Sequence, residues 1–274
     1  MKKLNIKYIA GLLILAIIGA CTDVVNVTVP DGGARLVVEA SILWEKGTTG
    51  QQQSIKLSRS TAYFASDLDV PVTNAQVLVT NTTSGDQFLF THQSDGFYRT
   101  NSFVPVIGNS YTLEITLDGN TYRATETMMS VTGISSVEQE ATSGFDGDQI
   151  SIKAYYGDPE NEKNFYLAEF SPSNIPIVDL EPSDDEFYNG NENFLEYDNE
   201  NLSAGDVVDI ALSGISEGFY NYINLLTSQV GEGGPFQTTP ARLKGNCINI
   251  NDANEEVLGF FRLGELDKLS YTIN

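Results

Sequence analysis

Residues 110–128, SYTLEITLDGNTYRATETM, contain the clearest folding signal in this chain of 274 residues. Apolar and polar residues alternate from Ser110 to Leu117 and again from Thr121 to Met128, and Asp118-Gly119 lies between the two runs. Alternation with a period of two is typical of a strand with one buried face, and Asp-Gly favours the tight turn of a hairpin. This stretch therefore predicts two antiparallel strands.

The same pattern recurs towards the N-terminus. A second hairpin signal, Asp95-Gly96, lies between two further runs. The remaining segments of strand type in this half are residues 36–43, 54–59, 75–80, 86–92 and 96–99. Short strands with turn residues between them, and no helical pattern, predict an antiparallel immunoglobulin-like or transthyretin-like sandwich over residues 35–130.

The pattern changes after a boundary near residues 130–133. Apolar residues at helical spacing from Phe219 to Val230 predict one amphipathic helix near residues 217–229. The segments of strand type are residues 134–141, 149–156, 164–170, 207–212, 257–263 and 268–273. Residues 131–274 are therefore expected to form a second mainly β domain with one helix.

The first 20 residues have the features of a lipoprotein signal peptide. A basic segment, residues 1–7, precedes an apolar run that ends in Ile17-Ile18-Gly19-Ala20-Cys21, a sequence that resembles a bacterial lipobox. Cys21 is therefore the expected lipidation site, and residues 21–34 the expected tether. Acyl chains contribute about 0.8 kcal/mol per buried CH₂, so they anchor a protein without a spanning helix. The apolar run itself is too short for a convincing membrane span.

The charge balance limits the classes of partner. The chain has 37 Asp and Glu against 15 Lys and Arg, a formal net charge of -22. Removal of the signal peptide takes away Lys2, Lys3 and Lys7 and changes the net charge to -25. Such a surface repels phosphate, so neither nucleic acid nor anionic lipid head groups are expected partners. One His and two Cys argue against multi-histidine metal sites and disulfide frameworks.

The acidic residues are concentrated in one stretch. Residues 164–241 contain 14 Asp or Glu and no Lys, Arg or His. Carboxylates and Asn carbonyls can hold Ca²⁺, for which the candidates are Asp184, Asp185, Glu186 and Asn189. Aromatic rings beside amides can bind sugars, for which the candidates are Tyr188, Asn191, Phe194 and Tyr197. The remaining interpretation is a solvated acidic loop held in place by its aromatic residues.

Catalytic signals are weak. Gly214-Ile215-Ser216-Glu217-Gly218 matches the G-x-S-x-G pattern, but a nucleophilic Ser needs a His base, and His92 lies upstream in the other predicted domain. Ser216 is expected to cap the helix and Cys247 to be a buried free thiol. A hydrolase that uses two acidic residues stays open, because it needs a facing pair that spacing cannot show. We expect no enzymatic activity.

The order of several short motifs resembles a known family. Leu36-Val37-Val38-Glu39-Ala40, Asp95-Gly96-Phe97-Tyr98, Gly157-Asp158-Pro159, Tyr220-Asn221-Tyr222 and Val257-Leu258-Gly259-Phe260-Phe261 follow the lipobox. In this order they look like the Bacteroidota lipoprotein family catalogued as domain of unknown function 4249. The resemblance implies an outer-membrane lipoprotein that assists TonB-dependent receptors in uptake, and it implies no catalytic residue.

The expected function is therefore that of a non-enzymatic accessory or binding protein, anchored at the outer membrane. Whether it faces the periplasm or the cell surface is left open. The alternatives are a surface glycan-binding module that uses residues 187–197 and the acidic hydrolase. No cofactor is expected apart from the Ca²⁺ considered above.

Overall fold

The computed structural model describes residues 33–62, 65, 70–144, 147–230 and 241–274. The described part of the chain is mainly β, with one helix and two sheets. The predicted signal peptide, Cys21 and all but the last two residues of the tether lie outside the described residues. Within the described ranges, no helix combines the length and the hydropathy needed to cross a membrane.

Sixteen strands and one helix form in the described residues. They are β1 Leu36–Glu45, β2 Gln53–Arg59, β3 Val70–Pro71, β4 Gln76–Asn81, β5 Gln87–Ser94, β6 Phe97–Thr100, β7 Ser110–Leu117, β8 Asn120–Thr127, β9 Ile134–Gly144, β10 Gly147–Gly157, β11 Phe165–Pro172, β12 Asp179–Asp184, β13 Glu192–Asn199, β14 Val207–Gly214, α1 Glu217–Val230, β15 Ile248–Asn249 and β16 Leu258–Thr272.

Most strands join one long sheet. Its order is β12-β11-β14-β16-β1-β2-β6-β5-β4-β7-β8-β15, and β3 pairs with β2. The second sheet has the order β13-β10-β9. The long sheet thus runs through both halves of the chain.

Both hairpins expected from Asp-Gly are present. Asp95 and Gly96 have φ angles of 50° and 77°, and Asp118 and Gly119 have 52° and 82°. Two successive residues with positive φ match the turn that suits the right-handed twist of paired strands. The turns connect β5 to β6 and β7 to β8, as predicted.

The first core lies between the strands that the N-terminal half of the chain contributes to the long sheet. Inward residues of β1 and β2 pack with inward residues of β4, β7 and β8. The largest members include Tyr98, Tyr111, Phe90, Phe103, Leu36, Ile42, Ile55 and Leu57. Cys247, Val257, Phe261 and Leu263 join this core from the C-terminal end of the chain. The boundary near residues 130–133 stays a prediction. The last strand, β16, pairs with β1, which precedes that boundary in the sequence, and with β14, which follows it.

The second half has three layers. β11 is buried on both faces. Successive side chains along this strand point to opposite faces and therefore belong to different cores. Tyr166 and Phe170 face the three-stranded sheet, whereas Phe165 and Leu167 face α1. The helix packs through Phe219, Tyr222, Ile223 and Leu226, which the helical spacing predicted. The order of layers is α1, the long sheet, and the β13-β10-β9 sheet.

The C-terminal strand is continuous, although the sequence predicts two strands with a break around Gly264. β16 pairs in parallel with β1 and then antiparallel with β14. Polar residues at the expected break remain in the strand because each one has a partner. Glu265 accepts a hydrogen bond from Val131 N (3.1 Å), and Asp267 accepts one from Ile134 N (2.7 Å). These two carboxylates therefore fix the segment that connects the two halves.

The acidic stretch from Asp179 to Asp206, in which the sequence predicts no strand, is not a loop throughout. It contains β12 and β13. In β13, Asn193, Leu195 and Tyr197 are buried, whereas Phe194 and Glu196 point to the other face. This strand alternation is present in the sequence, but the many acidic and Asn residues around it obscure the pattern.

Candidate functional site

The four calcium candidates come together in one groove. We call β12, β13 and the turn between them the β12–β13 segment, residues 179–199. Its two strands belong to different sheets. A groove of about 550 Å³, the acidic groove, separates it from the start of α1. The residues that line the groove are Lys163, Phe165, Asp184, Asp185, Glu186, Asn189, Glu217, Tyr220 and Asn221. The sequence predicted the acidic wall of this groove and not the helical one.

The carboxylates of the groove accept hydrogen bonds from the protein itself. Tyr220 Oη donates to Asp184 Oδ2 (2.9 Å), and Glu186 N donates to Asp184 Oδ1 (3.2 Å). Asp185 is buried, and its Oδ2 accepts from Asn164 N (2.8 Å). Burial, and then the bond to Asp184, raises the pKa of Tyr220, which keeps this hydroxyl a donor.

A second buried carboxylate ties the turn of the β12–β13 segment to the loop before β11. Asp158 accepts from Tyr166 Oη (2.6 Å) and from Gly190 N (3.1 Å). Asn189 Oδ1 accepts from Asn161 N (3.0 Å). Burial, reinforced by Asp158, raises the pKa of Tyr166. Polar side chains of this region thus accept hydrogen bonds from backbone N–H groups and from a buried tyrosine.

The four glycan candidates do not share one surface. Tyr188 and Phe194 are 46% and 40% exposed, and Asn191 is exposed in the turn. Tyr197 is 4% exposed and stacks on Phe170, with ring centroids 5.4 Å apart. Because side chains alternate along β13, Phe194 and Tyr197 lie on opposite faces of the sheet.

The exposed ring of Phe194 has neighbours that the sequence analysis missed. Tyr155 lies opposite it on β10, with centroids 5.4 Å apart. Lys153 Nζ lies 5.3 Å from the Phe194 centroid and pairs with Glu140 at 2.7 Å. The alternation of β10 places Lys153 and Tyr155 on one face, but only the pairing of β10 with β13 brings that face to Phe194.

Calcium provides a direct test of the acidic groove. The described residues contain no group of three or more His, Cys, Asp or Glu side chains that could hold a metal ion. Because Asp184 and Asp185 already accept hydrogen bonds, we expect the same thermal midpoint in millimolar CaCl₂, in MgCl₂ and in excess EDTA. A rise specific to calcium that Asp184→Asn abolishes would restore the calcium hypothesis.

The three candidate catalytic residues lie apart. Ser216 Oγ accepts from Phe219 N (3.2 Å), as a helix cap does. Cys247 is buried in the first core, which raises its pKa to about 12. His92 packs against Tyr98, with centroids 5.3 Å apart. In the described part of the chain, no hydrogen bond joins any two of these three residues.

The acidic stretch finds its cationic partners in residues outside it. Lys163 Nζ lies 2.8 Å from Glu217 Oε1, across the acidic groove. Arg262 Nη2 lies 2.9 Å from Glu169 Oε1, and Lys153 Nζ lies 3.8 Å from Glu196 Oε1. Residues 164–241 lack partners along the sequence, but the fold supplies three of them.

Comparison with known proteins gives a family and distant structural likenesses. The crystal structure of the chicken CNTN1 FN1-FN3 domains is 11% identical, with a TM-score of 0.29 over 66% of this chain and 62% of that chain. The matched region thus spans less than two thirds of that structure. A comparison with curated proteins gives no match. The family model "Domain of unknown function (DUF4249)" matches residues 22–268. This chain therefore belongs to the DUF4249 family.

Proposed function

We propose that this chain is a non-enzymatic binding protein, lipid-anchored at the outer membrane through Cys21, that assists TonB-dependent uptake. The observation that carries the binding role is the continuity of β16. This strand pairs with β1 from Val37 to Glu45, and with β14 from Val207 to Ser213. The two halves cannot separate without the loss of one of these ladders.

A single body of this kind suits recognition. Binding costs less entropy when the contacting surfaces are held in place before the partner arrives. The expected tether precedes β1, so the lipid anchor and the folded body are separate parts of the chain. The proposal also rests on the resemblance to the Bacteroidota lipoproteins, from which the link to TonB-dependent receptors comes.

The finer fold and the alternatives have different support. The first core, enclosed by β1 and β2 on one side and by β4, β7 and β8 on the other, favours an immunoglobulin-like or transthyretin-like sandwich. The exposed rings of Tyr188 and Phe194 favour a glycan-binding role for the β12–β13 segment, and the burial of Tyr197 counts against it. An acidic hydrolase needs facing carboxylates free to act, whereas Asp184 and Asp185 are engaged in the structure.

Loss of Cys21 is expected to release the protein from membranes. Cys21→Ala removes the thiol that would be acylated, so the protein should move from the membrane pellet to the soluble fraction on ultracentrifugation. Cys247→Ala is the matched control, because it removes the other cysteine, which is buried. Retention of Cys21→Ala in the pellet would refute the anchor.

The same preparations test the partner. Wild-type protein, tagged at its C-terminus and solubilised from membranes in mild detergent, should co-purify with a TonB-dependent receptor identified by mass spectrometry. Cys21→Ala should recover much less of that receptor, because it is no longer held at the membrane. Equal recovery of all outer-membrane proteins with both forms would contradict the accessory role.

A further inference from the structure

The outer face of β2, β6 and β5 forms the floor of a groove on the first half of the protein. Ser54 pairs with Arg99 across β2 and β6, and Arg99 pairs with Thr91 across β6 and β5. These three side chains thus lie in one row on the same face. The inward neighbours Ile55, Tyr98 and Phe90 are buried, which fixes the outward direction of the row. The groove has a volume of about 670 Å³.

The groove is lined almost entirely by uncharged polar groups. The side chains of Gln52, Gln93 and Asn101 supply carboxamides, and those of Ser54 and Thr91 supply hydroxyls. These groups both donate and accept hydrogen bonds, as sugar hydroxyls do. Leu89, 59% exposed, adds an apolar surface at one side. The residues that line the groove include no Asp or Glu, although the chain has 37 of them.

Arg99 is the one charged residue of this lining. Of the lysines and arginines that the structure describes, only Arg99 and Lys244 have no ion pair. The Arg99 guanidinium lies 5.7 Å from the centroid of the Phe97 ring. A planar guanidinium with free N–H donors is suited to bidentate contact with a carboxylate or sulfate.

Ser54 provides a second, independent observation. Its Oγ is shielded from solvent and has no hydrogen-bond partner in the described structure. A buried polar group without a partner is costly, so it is a place where a ligand group can gain a hydrogen bond. Ser54 is also the cross-strand neighbour of Arg99. An unpaired hydroxyl and an unpaired cation therefore lie side by side.

We propose that this groove binds an oligosaccharide that carries carboxylate or sulfate groups. Arg99 holds the acidic group, and the carboxamides and hydroxyls bond to the sugar hydroxyls. A peptide that adds a strand is less suitable, because β6, in the centre of the floor, is paired along its length with β2 on one side and with β5 on the other. The site involves the first half alone, so it does not depend on the lipid anchor or on a receptor.

The test measures binding of defined acidic oligosaccharides to the full chain solubilised in detergent. Tetrasaccharides of galacturonate, mannuronate and chondroitin sulfate are titrated by calorimetry. Fully methyl-esterified tetragalacturonate is the matched probe without charge. We expect at least one acidic probe to bind, and Arg99→Gln to weaken that binding at least tenfold. Ser54→Ala should weaken it several-fold.

Lys244→Gln is the matched control, because it removes the other unpaired cation at a position outside the groove. It should leave the affinity unchanged, and the midpoints of thermal unfolding should show that all three variants fold. Three results would overturn the proposal. They are no binding of any acidic probe, equal binding of galacturonate and its methyl ester where galacturonate is the probe that binds, and wild-type affinity in Arg99→Gln.

Discussion

Gly264→Ala is expected to lower the free energy of unfolding by about 3 kcal/mol or more, the upper end of the cost of overpacking. A Cβ at Gly264 would collide with the carbonyl oxygen of Gly214 on β14, and a Cβ at Gly214 would collide with that of Ser130. The chain segment around Met129, which connects the two halves, passes the same point, because Glu265 N donates to Met129 O (2.7 Å). The backbones of β14, β16 and the connecting segment therefore meet here. A backbone atom cannot make room for a new Cβ as the end of a flexible side chain could.

Urea denaturation followed by circular dichroism measures this effect. Gly157→Ala is the control, since a Cβ there meets no atom within 4 Å and the backbone φ is not positive. It should change stability by less than about 1 kcal/mol, and Ala is if anything the better residue in a strand. A Gly264→Ala protein with the urea midpoint of the wild type would show that the two halves are not joined as described.

Arg262→Met is expected to lower the free energy of unfolding by about 2 to 3 kcal/mol. Arg262 is buried on β16 and donates to Ser41 Oγ (2.9 Å) and to Glu169 Oε1 (2.9 Å), and its guanidinium lies 4.7 Å from the centroid of Phe219. Removal of one partner from a buried pair costs about 3 to 5 kcal/mol, because the other charge stays unpaired. Glu169 retains 28% of its side-chain exposure, which reduces that cost.

Two further variants separate the charge effect from packing. Arg262→Met/Glu169→Gln removes the unpaired carboxylate and should recover at least half of the lost stability. Arg123→Met breaks the exposed pair with Glu114 and should cost at most about 1 kcal/mol. If the double variant is no more stable than Arg262→Met, the stability of this junction comes from the cation over Phe219 and not from the ion pair.

The local elements were predictable because their causes are local. Asp-Gly pairs specify the turns after β5 and β7, and alternation specifies most strands. The apolar spacing that begins at Phe219 specified α1, and Ser216 capped it. β12 and β13 were missed because acidic and Asn residues mask a short alternating core. The break expected near Gly264 was wrong, because polar residues inside β16 have partners far away in sequence.

The candidate sites show the same division. The sequence placed Asp184, Asp185, Glu186 and Asn189 close together, and they do line one groove. It grouped Tyr197 with Phe194, although two residues three positions apart in a strand point to opposite faces of the sheet. The groove around Arg99 was not predictable, since only the order of the sheet places β2 beside the β5–β6 hairpin.

The sequence by itself determined the hairpins, the helix, the acidic charge and the expected anchor at Cys21, because each depends on residues close together in the chain. Only the tertiary structure decided which partners the carboxylates have and how the two halves of the chain are joined. Hydrogen bonds and ion pairs satisfy charges across any sequence distance, as Arg262 and Glu169 do. In the same way, the long-range pairing of β16 with β1 and β14 joins the two halves of the chain.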